Sequence, residues 1–253
     1  LTSAAAGERL QRAAMARRMR SRDHASFRRE ETFHAAPHTI DAPILDDDRD
    51  ASIAREDVAP GVYVLHRVMS PRECKRLVAA ADAIGFTHAG LAIGDDTYRV
   101  NLAVRNNLRV VIDSPAIAAG LWARVRDHVD ARHEGAPVVG LNDRFRVYRY
   151  EVGQRFFPHV DVRTAVPRGE TRASVVIYLN DGFEGGVTRF FELKDRASRR
   201  GEGRGRKFDN RERFAVRPPV GSAVVFDHLL LHEGAEVTAG LKHAVRSDLI
   251  YAG

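Results

Sequence analysis

Helix-forming segments early in the chain and strand-forming segments late predict an α+β domain with a β-sandwich or barrel core. The helical part rests on two amphipathic runs, PRECKRLVAAADAIGF and AIAAGLWARVRDHVDA. The strand part rests on RFRVYRY, ASVVIYLN, GSAVVFDH and HAVRSDLIY, β-branched or aromatic runs separated by Gly- or Asp-rich turns. At 253 residues, 44% of them hydrophobic, the chain is long enough for one large domain or two small ones around a sizeable core.

Taken in order, residues 1–22 read as a basic helix rich in Ala, Met, Leu and Arg, with Leu10, Ala14, Met15 and Met19 on one stripe. Residues 23–57 lose periodicity and gain Pro37, Pro43 and the acidic run Asp46–Asp48. The reading is therefore an N-terminal helix and an extended or partly disordered arm over 1–57, then a compact domain over 58–253. GVYVLHRVM alternates like a strand. Ser70, Pro71 and Glu73 form a capping-box signature for the first helix, whose Leu77, Val78, Ala81 and Ile84 face the core. Strands dominate from Asn142 onward, interrupted by the long charged loop KDRASRRGEGRGRKFDNRER, which a compact domain keeps for function or leaves disordered.

Charge is unevenly spread. Residues 1–30 carry eight Arg against three acids, and residues 194–217 carry ten Lys or Arg against four. The net charge is +6, so the remaining residues sum to −5, a mildly acidic body with two basic segments. Neither segment interleaves aromatics, so a nucleic-acid partner is not expected and a solvated loop is the reading at 194–217. No stretch approaches the roughly 18 apolar residues of a membrane helix, and no secretory apolar core stands near the N-terminus. The lone cysteine, Cys74, excludes an internal disulfide and a Cys-rich zinc site. A reducing, cytoplasmic setting fits that usage.

The segment FFPHVDV places His159 and Asp161 two residues apart, and in a strand such side chains share a face. Far downstream stands His232. Two imidazoles and one carboxylate on one face of an octahedral ion leave the opposite positions open, which suits non-heme Fe(II). Structural zinc wants four closed ligands. His228, four residues before His232, is the rival histidine; the Gly-x-Lys that follows His232 favours His232.

YEVGQRFFPHVD, IYLNDGFEGGVTRFF, GSAVVF and HEGAEVTAGLK occur in that order, and together they resemble the prolyl-4-hydroxylase-like branch of the 2-oxoglutarate/Fe(II) dioxygenases. VMSPRECKRLVAAADAIGF is similar to the helix that opens this domain in the family. The resemblance implies a double-stranded β-helix, the jelly-roll or cupin-like core, flanked by N-terminal helices. It aligns His159, Asp161 and His232 with the metal ligands. Lys242, ten residues after His232, falls where the family binds the distal carboxylate of 2-oxoglutarate. Arg246 shares its strand face and is the alternative. Tyr150, nine residues before His159, matches a tyrosine that bonds the cosubstrate, with Thr188 assisting. Because Asp161 is present, where related halogenases carry a small residue, the implied reaction is hydroxylation of an unactivated C–H bond. Dioxygen and 2-oxoglutarate are cosubstrates, succinate and CO2 are released, and ascorbate is the reductant.

Arg105, Asn106, Arg146 and Tyr148 are the candidate substrate contacts. The substrate is a small molecule such as an amino acid or natural product, or a peptidyl residue such as proline, and the excess Arg favours an anionic one. The loop VRTAVPRGETR after Asp161 and the 194–217 segment are where a lid would sit. Two other classes stay open: a nucleic-acid base oxidase or demethylase, marked by salt-dependent binding to oligonucleotides, and a non-catalytic module of the same fold. Oligomeric state is not legible in the sequence.

Overall fold

A computed structural model describes residues 32–40, 42–46, 52–94, 96–192 and 211–253. The helix read over 1–22 and most of the 194–217 basic run lie outside the described residues. The described chain forms two compact units. The smaller holds Thr32–His34, Thr97–Arg99 and Leu91–Gly94 in one antiparallel sheet, with the Phe33 and Tyr98 rings 5.7 Å apart.

The larger unit, residues 36–89 and 103–253, is built on an eleven-stranded sheet. Its path runs Ala54–Ala59, Val62–His66, Ala223–Asp227, Gly169–Tyr178, Lys242–Tyr251, Arg144–Tyr150, Leu108–Asp113 and Thr87–His88, with three short strands paired at its sides. A four-stranded sheet takes Phe156–His159, His232–Gly234, Thr188–Phe191 and Glu212–Val216 in that order. The two sheets meet where Phe190 of the smaller packs edge-on against Phe226 of the larger, ring centroids 5.2 Å apart. Val62, Val64, Val216 and Val224 close the same cluster. This is a double-stranded β-helix.

The large sheet is covered on its other face as well. Val110, Phe145, Val147, Val175, Ile177 and Val245 bury there with Leu77, Ala81, Ile117 and Leu121 of the two helices. Both faces are thus apolar, which is why Lys242–Tyr251 is buried almost throughout instead of alternating. The first helix, Pro71–Ile84, starts on the capping box read from the sequence. The Ser70 hydroxyl accepts from the Glu73 N–H at 3.1 Å, and the Glu73 carboxylate accepts from the Ser70 N–H at 2.6 Å. The second helix, Pro115–Val125, stops before the end of its amphipathic run. There the His128 N–H turns onto the Val125 carbonyl (2.9 Å), one residue short of helical register.

One local difference stands out. Ala54–Ala59, which begins inside the arm read from the sequence, pairs with Val62–His66 as a polar strand exposed over most of its length. Its residues carry no apolar alternation to announce it. Among the described residues, no helix is long and apolar enough to cross a membrane.

Candidate metal centre and cosubstrate cavity

His159 ends the strand Phe156–His159, and His232 opens its neighbour His232–Gly234, so antiparallel register sets the two directly opposite each other. Their rings lie 4.3 Å apart. Asp161 is not on that strand: the chain leaves it after His159, and the Asp161 N–H is pinned to the His228 carbonyl at 2.8 Å. Asp161 therefore does not share a strand face with His159, because the strand ends at His159. The carboxylate still arrives between the imidazoles, with Oδ1 3.7 Å from His159 Nε2 and Oδ2 3.6 Å from His232 Nε2.

Which ring nitrogen carries the proton follows from the partners. His159 Nδ1 donates to the Phe157 carbonyl at 2.8 Å, and His232 Nδ1 donates to the Leu230 carbonyl at 2.9 Å. A carbonyl only accepts, so each Nδ1 is protonated and each Nε2 offers a lone pair. Burial, reinforced by the nearby His232, lowers the His159 imidazole to about 3, and burial likewise lowers His232, so both stay neutral. For Asp161, burial alone would raise the carboxyl. Arg246, the two histidines and Ser174 outweigh it and hold the group well below the usual carboxylate range. Two lone pairs and an anion thus converge with no proton between them. One ligand atom from each residue falls within 4.8 Å of the others. That donor set fits a divalent cation such as Fe(II).

Asp161 is held from behind by the large sheet. The Ser174 hydroxyl donates to its Oδ2 at 2.6 Å, and Arg246 Nη1 donates to its Oδ1. Arg246 also donates to Asp248 Oδ1 through Nη2 (2.8 Å) and Nε (3.0 Å). Asp248 in turn meets Arg146 Nη1 at 3.2 Å and His228 Nε2 at 3.2 Å. Arg246 is therefore committed to two buried carboxylates, which accounts for its raised pKa after burial is overcome, and it is not a spare clamp for a cosubstrate. Arg146 is spent on the same network, and His228 lies behind the metal ligands as an Asp248 partner.

The cavity beside the histidines is lined by Tyr148, Tyr150, Phe156, Thr188, Lys242 and Arg246, among others. Lys242 is 3% exposed. Its ammonium donates to the Gly186 carbonyl at 2.6 Å and sits 4.2 Å from the Tyr178 ring centre and 5.2 Å from that of Tyr150. Burial, with Arg217 nearby, lowers it to about 7. The Gly185–Gly186 turn, with φ of +68° and +61°, brings that carbonyl in, and a Cβ at Gly185 would lie 2.2 Å from the Glu236 carbonyl. Thr188 shares a 3.0 Å hydrogen bond with the Tyr178 hydroxyl.

Among the candidate substrate contacts, Tyr148 lines the cavity and Arg105 lies against its wall through Phe156 and Tyr148. Asn106 does not face it freely: its side chain bridges the Arg155 N–H (2.7 Å) and the Gly153 carbonyl (3.3 Å). Sequence reasoning missed Ser174, Tyr178 and Asp248. The first two are i, i+4 on Gly169–Tyr178 with Val176 between, so strand parity alone would have placed them on one inward face.

The match with known proteins falls on this region. A model of the 2OG-Fe(II) oxygenase superfamily matches residues 145–247, a segment that contains His159, Asp161, His232 and Lys242. The segment that carries the candidate ligands is thus similar to the 2-oxoglutarate-dependent Fe(II) oxygenases. The dioxygenase fold is shared with a Pseudomonas putida prolyl-4-hydroxylase at 18% identity and a TM-score of 0.51, over 76% of this chain and 94% of that one. It is shared too with a Trichoplax adhaerens prolyl hydroxylase solved with a hypoxia inducible factor oxygen degradation domain peptide fragment. That likeness has 14% identity and a TM-score of 0.54, over 75% of this chain and 83% of the other. No curated protein matches the chain.

Proposed function

We propose that this chain is a 2-oxoglutarate-dependent Fe(II) dioxygenase that hydroxylates an unactivated C–H bond of a small molecule, an amino acid or natural product, releasing succinate and CO2. The observation that carries the reading is the meeting of two proton-free Nε2 atoms and the Asp161 carboxylate beside a cavity that contains a buried lysine. Bound Fe(II) would supply dioxygen chemistry at positions the three ligands leave open. His159, Asp161 and His232 hold the metal. Ser174 and Arg246 keep the carboxylate aimed at it. Lys242 pairs the distal carboxylate of 2-oxoglutarate, because a carboxylate taken into a dry cavity needs a charge partner. Tyr150 and Thr188 flank that end, and the Tyr148–Phe156 wall excludes water around the substrate.

A peptidyl residue such as proline is the alternative substrate, supported by the shared fold of a prolyl hydroxylase solved with a peptide. The test is succinate formation from 2-oxoglutarate with Fe(II) and ascorbate, wild type against His159→Ala. Wild type should turn over slowly even without a substrate, and the variant should not. The same protein, titrated anaerobically with 2-oxoglutarate, should develop a visible metal-to-ligand charge-transfer band. If wild type gives neither succinate nor band, the reading is wrong.

A further inference from the structure

Two buried cations near the candidate metal ligands, Lys242 and Arg105, have no counter-charge among the described residues. Arg105 is 5% exposed, and among the described residues no carboxylate pairs with it. Its Nε donates to Asn107 Oδ1 at 3.1 Å, and Asn107 is itself fully buried. Nη2 is buried with no hydrogen-bond partner. The position is fixed by backbone: Arg105 bridges Phe156, the Phe157 N–H donates to the Val104 carbonyl at 3.0 Å, and the Asn106 N–H donates to the Arg155 carbonyl at 3.3 Å. The guanidinium carbon lies 4.0 Å from the centre of the Phe156 ring, which stacks on His159 at 3.6 Å. One aromatic ring therefore separates this cation from a proposed metal ligand.

Three other interior cations are balanced by carboxylates, Arg146 and Arg246 by Asp161 and Asp248, and Arg124 by Glu73. On the dioxygenase reading, Lys242 takes one carboxylate of 2-oxoglutarate and the metal takes the other. No counter-charge is left for Arg105, and burying a guanidinium without one is costly. The field it adds is felt nearby: burial would raise the Tyr148 hydroxyl, but Arg105, Arg246, Arg146 and Arg109 outweigh it and lower it.

We propose that Arg105 binds a carboxylate of the substrate, so that the compound hydroxylated is an anionic small molecule whose acid group anchors beside Phe156. This rests on the dioxygenase reading. Arg105 is then the residue that selects acids over their neutral isosteres, a planar fork matched to a planar oxyanion.

The probes are benzoate and benzamide, which share a shape and differ in charge. Each is titrated by thermal shift into protein loaded anaerobically with Fe(II) and saturating 2-oxoglutarate, as wild type, R105K and R105Q. Wild type should favour benzoate by about tenfold or more, R105K should keep part of that preference, and R105Q should lower the ratio to about one. The charge-transfer band should form in all three with unchanged 2-oxoglutarate affinity. Equal binding of acid and amide by wild type overturns the inference, as does a preference that R105Q keeps. Weakened 2-oxoglutarate binding in R105Q would overturn it too, by moving Arg105 to the cosubstrate. Absence of the band in wild type is instead a failure of the dioxygenase reading. A destabilised R105Q is controlled by R105K, which retains the charge.

Discussion

At the scale of single residues, the cavity sets protonation against solvation. Lys242 is lowered to about 7, against an ordinary value near 10.5, because burial disfavours its ammonium. Between those two values the unfolded chain binds a proton that the folded one does not. This group therefore makes the unliganded protein more stable as pH rises from about 7 toward 10.5. A carboxylate of 2-oxoglutarate reverses the preference, so binding at pH 8 should take up a proton. Calorimetric titration in buffers of different ionisation enthalpy reads this directly, and a heat independent of buffer would place the cosubstrate elsewhere. Lys242→Met should weaken 2-oxoglutarate by roughly 100-fold, the cost of leaving a buried carboxylate unpaired. The residues behind Asp161 act differently. Ser174→Ala removes one of the bonds that aim the carboxylate and should weaken metal binding by roughly 10-fold, with 2-oxoglutarate affinity in the metal-loaded protein little changed. The candidate ligands and Lys242 were legible because each sits at a fixed spacing within a short motif. Strand parity puts Ser174 on an inward face, but that it and Asp248 meet at the site was not legible, because sequence spacing does not encode which strands pair.

At the scale of elements, local chemistry decided what could be read. The helix Pro71–Ile84 was legible to its first residue because its cap is made by Ser70, Pro71 and Glu73, neighbours in sequence. Glu73 does more than cap. It also accepts from the Asp46 N–H at 2.8 Å and from Arg124 through both terminal nitrogens, at 2.8 and 3.1 Å. Burial would raise its carboxyl, but Arg124 and the two backbone N–H groups hold it at about 2, against an ordinary 4.5. A depressed carboxylate stabilises above its unfolded value, and that contribution fades as pH falls from 4.5 toward 2. Glu73→Ala should therefore cost roughly 3–5 kcal/mol at pH 7 by stranding Arg124, while Ser70→Ala should cost about 1 kcal/mol. Urea melts at pH 7 and pH 3 check both, and the Glu73→Ala difference should shrink at the lower pH. Strands gave weaker signals. Gly169–Tyr178 and Lys242–Tyr251 are ten residues long with β-branched or aromatic residues and were clear, whereas Ala54–Ala59 is polar and Phe156–His159 is four residues long.

At the scale of the molecule, the candidate metal centre joins the two sheets. His159 and His232 belong to the four-stranded sheet, while Asp161 is gripped by Ser174 and Arg246 of the eleven-stranded one. A cation bound by all three residues would tie the sheets together at a point where the apolar contacts of Phe190 and Phe226 end. The ligand set exists only in the folded chain, so metal should stabilise the fold as RT ln(1 + [metal]/Kd), about 2.7 kcal/mol at a concentration 100-fold above Kd. Melting under anaerobic Fe(II), or Mn(II) as a redox-stable substitute, should shift Tm upward, and chelator should return it to the starting value. Saturating 2-oxoglutarate should add a second increment that depends on metal and disappears in Lys242→Met. His159→Ala and His232→Ala should lose both increments while folding without metal, since each truncation only opens space at the cavity. An equal metal-induced shift in His159→Ala would show that the cation binds elsewhere on the chain, and the sheets would then owe their alignment to the apolar contacts alone.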